Sequence, residues 1–267
     1  MNNNICHITH LYKKVFLTYG LFVKILEDDK ELLKIKIKNV CQIVFLKDFF
    51  CFITTTSELY LMNYEDYSII KKVKLNGQIC TTVSDKTKNT IYLSTMNFNT
   101  KKTYLYKIDG DIMAKEYNEL YFISLCGFDN NCLKVIKRNV KKDCSFIVEF
   151  DLSSLNEISE KKIEDFNSPV FNLDEKYCYY NIGIYDYIND KRISLLDLKL
   201  DISCIINAKN EDNLYYLFSN KKVVILDKTF SIVNDCLDDT VLDMTIVDGK
   251  KYFVIDDKIL TDYCSKI

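Results

Sequence analysis

The sequence predicts an all-β chain: a seven-bladed β-propeller of four-stranded antiparallel blades. Three observations carry that expectation. Short runs rich in Ile, Val, Phe and Tyr alternate apolar and polar residues at period two, as half-buried strands do. The runs recur at intervals of roughly 40 residues, the length of one four-stranded blade. The residues that punctuate strands fall between the runs rather than inside them.

The clearest recurring run appears at residues 21–27, 59–65, 103–109, 146–152, 184–190, 222–228 and 258–264, which sets the blade count at seven. Further strands fit around each of these anchors. Residues 49–54 precede the second anchor and 69–75 follow it, then 79–83, a polar turn at 84–89 and a strand at 90–94. The last repeat is short of an outer strand, so an N-terminal strand near residues 3–10 is expected to complete the final blade and close the ring. Gly20, Gly77, Gly110, Gly127, Gly183 and Gly249 all fall at predicted junctions, as does the lone Pro169. Asn76-Gly77, Asp109-Gly110 and Asp248-Gly249 suit tight turns. A single propeller domain spanning 1–267 is the expected organisation.

Composition narrows the class further. Of 267 residues, 36 are Lys or Arg and 38 Asp or Glu, and the formal net charge of −2 excludes a uniformly basic surface built for nucleic acid. Apolar content of 48% with 28% charged residues belongs to a globular chain, not a disordered one. Arg138 and Arg192 are the only arginines, a bias towards Lys that fits codon choice in an A+T-rich genome. The opening Met1-Asn2-Asn3-Asn4 lacks a secretory n-region, and no apolar run approaches about 18 residues, so a cytoplasmic or nuclear location is expected. The 11 cysteines are scattered, with Cys51, Cys80, Cys126, Cys178 and Cys204 at apolar strand positions, which reads as reduced, buried thiols.

An apolar strand ending in an acidic residue, followed by a short turn and another strand, resembles the third strand of WD-repeat propellers. The matching pairs are Leu26-Glu27, Tyr64-Glu65, Ile108-Asp109, Phe150-Asp151 and Leu226-Asp227. The acid is kept, and the Trp of the usual Trp-Asp pair is replaced every time. The Gly-His pair of such repeats is absent, since His7 and His10 are the only histidines. The resemblance covers most of the chain as a pattern and implies a divergent WD-repeat-like propeller without the usual polar blade network.

Candidate chemistry is sparse. Cys6-His7-Ile8-Thr9-His10 offers metal-type ligands, but no second ligand pair exists and strand alternation sends the two histidines to opposite faces. No nucleophile elbow, phosphate loop or dinucleotide fingerprint appears. Acidic runs at Glu27-Asp28-Asp29 and Asp238-Asp239 lack a calcium-loop register. The C-terminal Cys264-Ser265-Lys266-Ile267 carries a charge where a prenylation box is aliphatic. No catalytic, cofactor-binding or metal residue is therefore expected. A propeller enzyme with a central-channel site is the least favoured reading, because the predicted inner strands 79–83, 120–124 and 202–206 lack ionisable groups.

Charge becomes informative once the strands are placed. Loops joining second to third strands share one face of a propeller, and there Lys101, Lys102, Lys137, Arg138, Lys141, Lys142, Lys221 and Lys222 would form a broken basic arc. Glu116, Glu119, Glu164, Asp165, Asp235, Asp238 and Asp239 would reach the same face and dilute it. The expected function is a non-enzymatic scaffold for protein–protein interaction in a larger assembly. The alternative is a ribosome- or RNA-associated factor using the basic loops.

Overall fold

The computed structural model describes residues 5–129, 131–142, 144–163, 171–174, 176–180, 183–194, 205–219, 223–234, 241–255 and 258–261. They form seven consecutive antiparallel sheets and, among the described residues, no helix. Blade 1 holds β1 (Ile5–Leu11), β2 (Lys14–Tyr19), β3 (Val23–Glu27) and β4 (Lys30–Ile35). Blade 2 holds β5 (Val40–Phe45), β6 (Phe50–Thr54), β7 (Glu58–Met62) and β8 (Ile69–Lys74). Blade 3 holds β9 (Gln78–Asp85), β10 (Thr90–Asn97), β11 (Lys102–Ile108) and β12 (Ile112–Tyr117), and blade 4 holds β13 (Tyr121–Asp129), β14 (Cys132–Asn139), β15 (Cys144–Asp151) and β16 (Glu157–Ile163). Blade 5 contains β17 (Phe171–Asn172), β18 (Tyr177–Tyr180), β19 (Gly183–Asp186) and β20 (Lys191–Ser194). Blade 6 contains β21 (Ile205–Glu211), β22 (Leu214–Ser219), β23 (Val223–Leu226) and β24 (Ile232–Asn234), and blade 7 contains β25 (Val241–Val247), β26 (Lys250–Ile255) and β27 (Lys258–Thr261). Each blade pairs its strands in chain order, and the seven anchor runs are the seven third strands.

The chain divides into two compact units, Met1–Val44 with Phe52–Thr56 and Asp201–Ile267, and Phe45–Cys51 with Ser57–Leu200. In the first, Ile8, Val15 and Leu17 of blade 1 pack against Val247, Tyr252 and Val254 of blade 7. In the second, Tyr92 and Leu105 of blade 3 pack against Leu125, Leu133, Val148 and Phe150 of blade 4. Middle strands are buried almost throughout, whereas the outer strands β8 and β16 are mostly exposed and carry lysines, which discourage pairing with other chains.

Three expectations are corrected. The N-terminal strand does not complete the last blade: β1 pairs with β2 as the innermost strand of blade 1, and among the described residues it meets blade 7 through side chains and the Ile8 amide. Gly127 does not lie at a junction but inside β13, at a bulge between Leu125 and Gly127. A Cβ there would run into the Tyr187 hydroxyl, so the missing side chain is what lets blade 5 approach. The inner strand expected at 202–206 runs instead from Ile205 to Glu211, which brings in ionisable residues. Pro169, Cys204 and Cys264 lie outside the described residues.

The acids that end third strands have a local role. Asp151 Oδ1 accepts the Ser153 and Ser154 amides, Asp186 Oδ1 those of Ile188 and Asn189, and Asp227 Oδ1 those of Thr229 and Ser231. Each caps the turn into the outer strand, as Asx-turns do. Side-chain hydrogen bonds from Ser153 and Ser154 lower the Asp151 carboxyl to about 2. Among the described cysteines, Cys51, Cys126 and Cys178 are buried free thiols.

Candidate functional site

Two groups of side chains could carry function. The first is the loop face of blades 3 and 4, where six of the eight predicted basic residues fall; Lys221 and Lys222 lie outside the described residues. The hairpin between β10 and β11 and that between β14 and β15 flank the linker from β12 to β13. Lys102 pairs with Glu116 at 2.5 Å on one side of that linker. On the other side, Asn139 Nδ2 donates to Glu119 at 2.9 Å, and the Val140 amide donates to the Leu120 carbonyl at 3.2 Å. Hydrogen bonds from Tyr121 and Asn139, then the ammonium groups of Lys142 and Lys141, lower the Glu119 carboxyl below its ordinary value.

Lys137 is a correction to the basic arc. It is buried, paired with Glu160 and, at 3.5 Å, with Glu157. Its Nζ lies 5.6, 5.3 and 5.9 Å from the ring centres of Tyr117, Tyr121 and Phe146. A cation inside an aromatic and acidic pocket holds the linker to blade 4 and is not offered to a partner. Arg138 is half-buried beside it. Lys101, Lys141 and Lys142 stand exposed and have no ion pair among the described residues.

The second group was invisible to a strand-by-strand reading of the sequence. Asp243 of β25 has a side chain 2% exposed, yet it sits between a lysine ammonium and an imidazole. His7 Nδ1 donates to Asp243 Oδ2 and Lys209 Nζ to Oδ1, each at 2.6 Å. The Ile8 amide adds a third donor at 3.0 Å, the Met244 amide a fourth at 2.9 Å, and Asn207 Nδ2 a weaker fifth at 3.3 Å. Lys209 also donates to the Ile8 and Met244 carbonyls at 2.7 and 2.9 Å. Burial opposes the charge on Asp243, but Lys209 and His7 outweigh it and hold the carboxyl well below the usual carboxylate range.

The geometry comes from one repeated device. The registers of β1, β21 and β25 each shift at the equivalent place, between Ile5 and His7, between Ile205 and Asn207, and between Val241 and Asp243. Bulges re-aim the residue that follows, so His7, Asn207 and Asp243 occupy one position in three successive blades. His7 and His10 therefore do not diverge as alternation predicts: both reach β25, His10 Nδ1 lying 2.7 Å from Thr245 Oγ1. The pattern of an aliphatic residue, any residue, a polar residue and an apolar one recurs in Ile5-x-His7-Ile8, Ile205-x-Asn207-Ala208 and Val241-x-Asp243-Met244, and it is the signal that could have exposed the cluster.

The cluster is chemically saturated. Asp243 receives donors on both oxygens, and the three Lys209 protons are matched by three acceptors, which leaves neither group a site for substrate. No metal-holding group of three or more His, Cys, Asp or Glu occurs among the described residues. Nearby, Glu211 has its carboxyl raised, chiefly by burial, against Lys209, with Asp243 adding to the rise. A raised folded value means that stability present below the ordinary pKa is lost as pH rises through the folded one. Glu211→Gln is therefore expected to raise the thermal midpoint by a few degrees at neutral pH and to give no gain near pH 4.5, as melting curves at the two pH values would show.

These sheets define a seven-bladed β-propeller. The chain is similar to the crystal structure of Saccharomyces cerevisiae Sqt1, with a TM-score of 0.63 and 12% identity over 97% of this chain and 82% of that one. At that identity the likeness concerns the fold alone. In all, 1039 chains of solved structure match, so the architecture is shared too widely to single out a role. No protein-family profile matches the sequence, and no curated protein matches it.

Proposed function

We propose that this chain is a non-enzymatic interaction platform, a divergent WD-repeat-like propeller that binds protein partners within a larger assembly in the cytoplasm or nucleus. One observation carries the reading: inner-strand Asp243 and Lys209 are consumed by one another and by backbone groups, whereas Lys101, Lys141 and Lys142 project from neighbouring hairpins with no ion pair among the described residues. Catalysis needs a group with a free lone pair or proton aimed at substrate, and the buried cluster offers none. Recognition needs a rigid base carrying exposed, variable side chains, which the hairpins supply.

The test is a pull-down from native extract with wild type and with Lys101, Lys102, Lys141 and Lys142 all reversed to Glu, read by mass spectrometry. A stable protein partner that survives nuclease treatment and is lost by the reversed variant is the expected result. Recovery of no stable partner would refute the platform. Capture that disappears on nuclease treatment and weakens steeply with salt would favour the RNA-associated alternative.

A further inference from the structure

The loop face of blades 3 and 4 carries a more specific feature, and a docking site there rests on the platform reading. Both hairpins turn in the same way. Asn97 Oδ1 accepts the Asn99 and Thr100 amides, each at 3.1 Å. Asn139 Oδ1 accepts the Lys141 and Lys142 amides at 3.0 and 2.9 Å. In each case the residue directly after the asparagine is large, apolar and exposed: Phe98 at 55% and Val140 at 42%. Lysines follow in both at different spacing, Lys101 and Lys102 after Asn99 and Thr100 in one, Lys141 and Lys142 directly after Val140 in the other. Two blades thus share an Asn-capped turn with an exposed apolar residue at its tip and lysines further along the hairpin.

The base beneath is rigid. Thr103 Oγ1 donates to the Tyr121 carbonyl at 3.1 Å and accepts the Tyr121 amide at 2.8 Å. Tyr121 donates its hydroxyl to Glu119 at 2.9 Å, and Lys137 fills the space between the aromatic rings from below. Binding at such tips would order little that is not already ordered, which favours affinity.

We propose that Phe98 and Val140, rimmed by Lys101, Lys102, Lys141 and Lys142, form a docking site for an acidic linear peptide segment of a partner protein that seats apolar side chains on the two tips. Charge and shape both select that occupant. Lys101, Lys141 and Lys142 are exposed with no ion pair among the described residues, so the tips attract carboxylates. Phe98 is the one ring at the two tips and Val140 offers none, so successive bases have no pair of rings to stack on. An apolar centre within a charged rim is the anatomy of a protein contact.

The experiment pans a phage-displayed library of random linear peptides on the full chain and measures the best binder by fluorescence polarisation. Sequences rich in Asp and Glu around a Leu, Ile or Phe are expected. Phe98→Ser with Val140→Ser should weaken that binder by at least about tenfold while the melting temperature stays unchanged, since both side chains are exposed. Lys141→Glu with Lys142→Glu should weaken it similarly, and added salt should mimic the effect. The proposal is overturned if no peptide is enriched, if the enriched peptides lack acidic residues, if the two serine substitutions leave binding intact, or if a single-stranded poly-uridine oligonucleotide displaces the peptide from the same residues. A protein partner recovered from extract whose binding survives the serine substitutions would sink this site while leaving the platform standing. Failure of the platform itself would show as no partner from extract at all.

Discussion

Replacing Asp243 with alanine is expected to lower the unfolding free energy by about 3–5 kcal/mol, the range for stranding one member of a buried ion pair. The substitution leaves Lys209 inside the protein with its compensating carboxylate gone, and His7 and the Ile8 amide lose their acceptor as well. The damage is not confined to one blade. β1, β21 and β25 belong to blades 1, 6 and 7, and Lys209 reaches from blade 6 to the Ile8 carbonyl in blade 1. Urea denaturation of wild type and variant gives the difference directly. Adding Lys209→Met to Asp243→Ala should restore part of the loss, because a methionine leaves no buried charge without a partner. A double variant less stable than Asp243→Ala would show that the lysine's carbonyl contacts matter more than its charge.

The same carboxylate makes a pH prediction with a definite sign. The folded value of Asp243 lies below its ordinary 3.8, so its contribution is fully present above that pH. It is lost as pH falls through the folded value. The share of the stability gap between wild type and Asp243→Asn that comes from the carboxylate's own ionisation should therefore be lost only in strong acid.

Gly77→Ala is expected to cost about 2–4 kcal/mol, from overpacking together with a backbone conformation that alanine resists. Gly77 sits in the connection from β8 to β9 with φ of +92°, and a Cβ there would lie 2.6 Å from the Met96 carbonyl carbon. That carbon belongs to the backbone of β10 and cannot swing aside as a side chain could. Gly110→Ala is the control. Its φ of +104° is equally left-handed, but nothing stands within 4 Å of the added carbon, so only about 1 kcal/mol should be lost. Equal costs at the two positions would mean that conformation alone, not the close approach of β10, explains the glycine at 77.

The strand map was legible because burial on alternate faces writes itself into neighbouring residues. The run at 103–109 reads as a strand from its own seven residues, and it is β11. Turn capping was nearly as legible, since Asp151 and the serines that occupy it are two and three residues apart. The basic arc was legible only in part. Lys141 and Lys137 look alike in the sequence, yet one is exposed at a hairpin tip and the other lies among Tyr117, Tyr121 and Phe146. The difference depends on which strand packs across β14, and no local pattern encodes that.

What the sequence by itself determined is the kind of fold: period-two alternation and a repeat of roughly 40 residues leave few arrangements other than a propeller. How the first and last blades are joined was decided only by tertiary structure. The expected device was an exchanged strand; among the described residues the blades are joined by a carboxylate clasped by His7 and Lys209, by an apolar cluster, and by Asp29 held by Lys250 and Tyr252. Asp243 is separated from the Ile8 amide by 235 positions, a distance over which no pattern of spacing operates. Alternation records which face of a strand is buried. The identity of the charge waiting on the far side is settled by where another blade arrives.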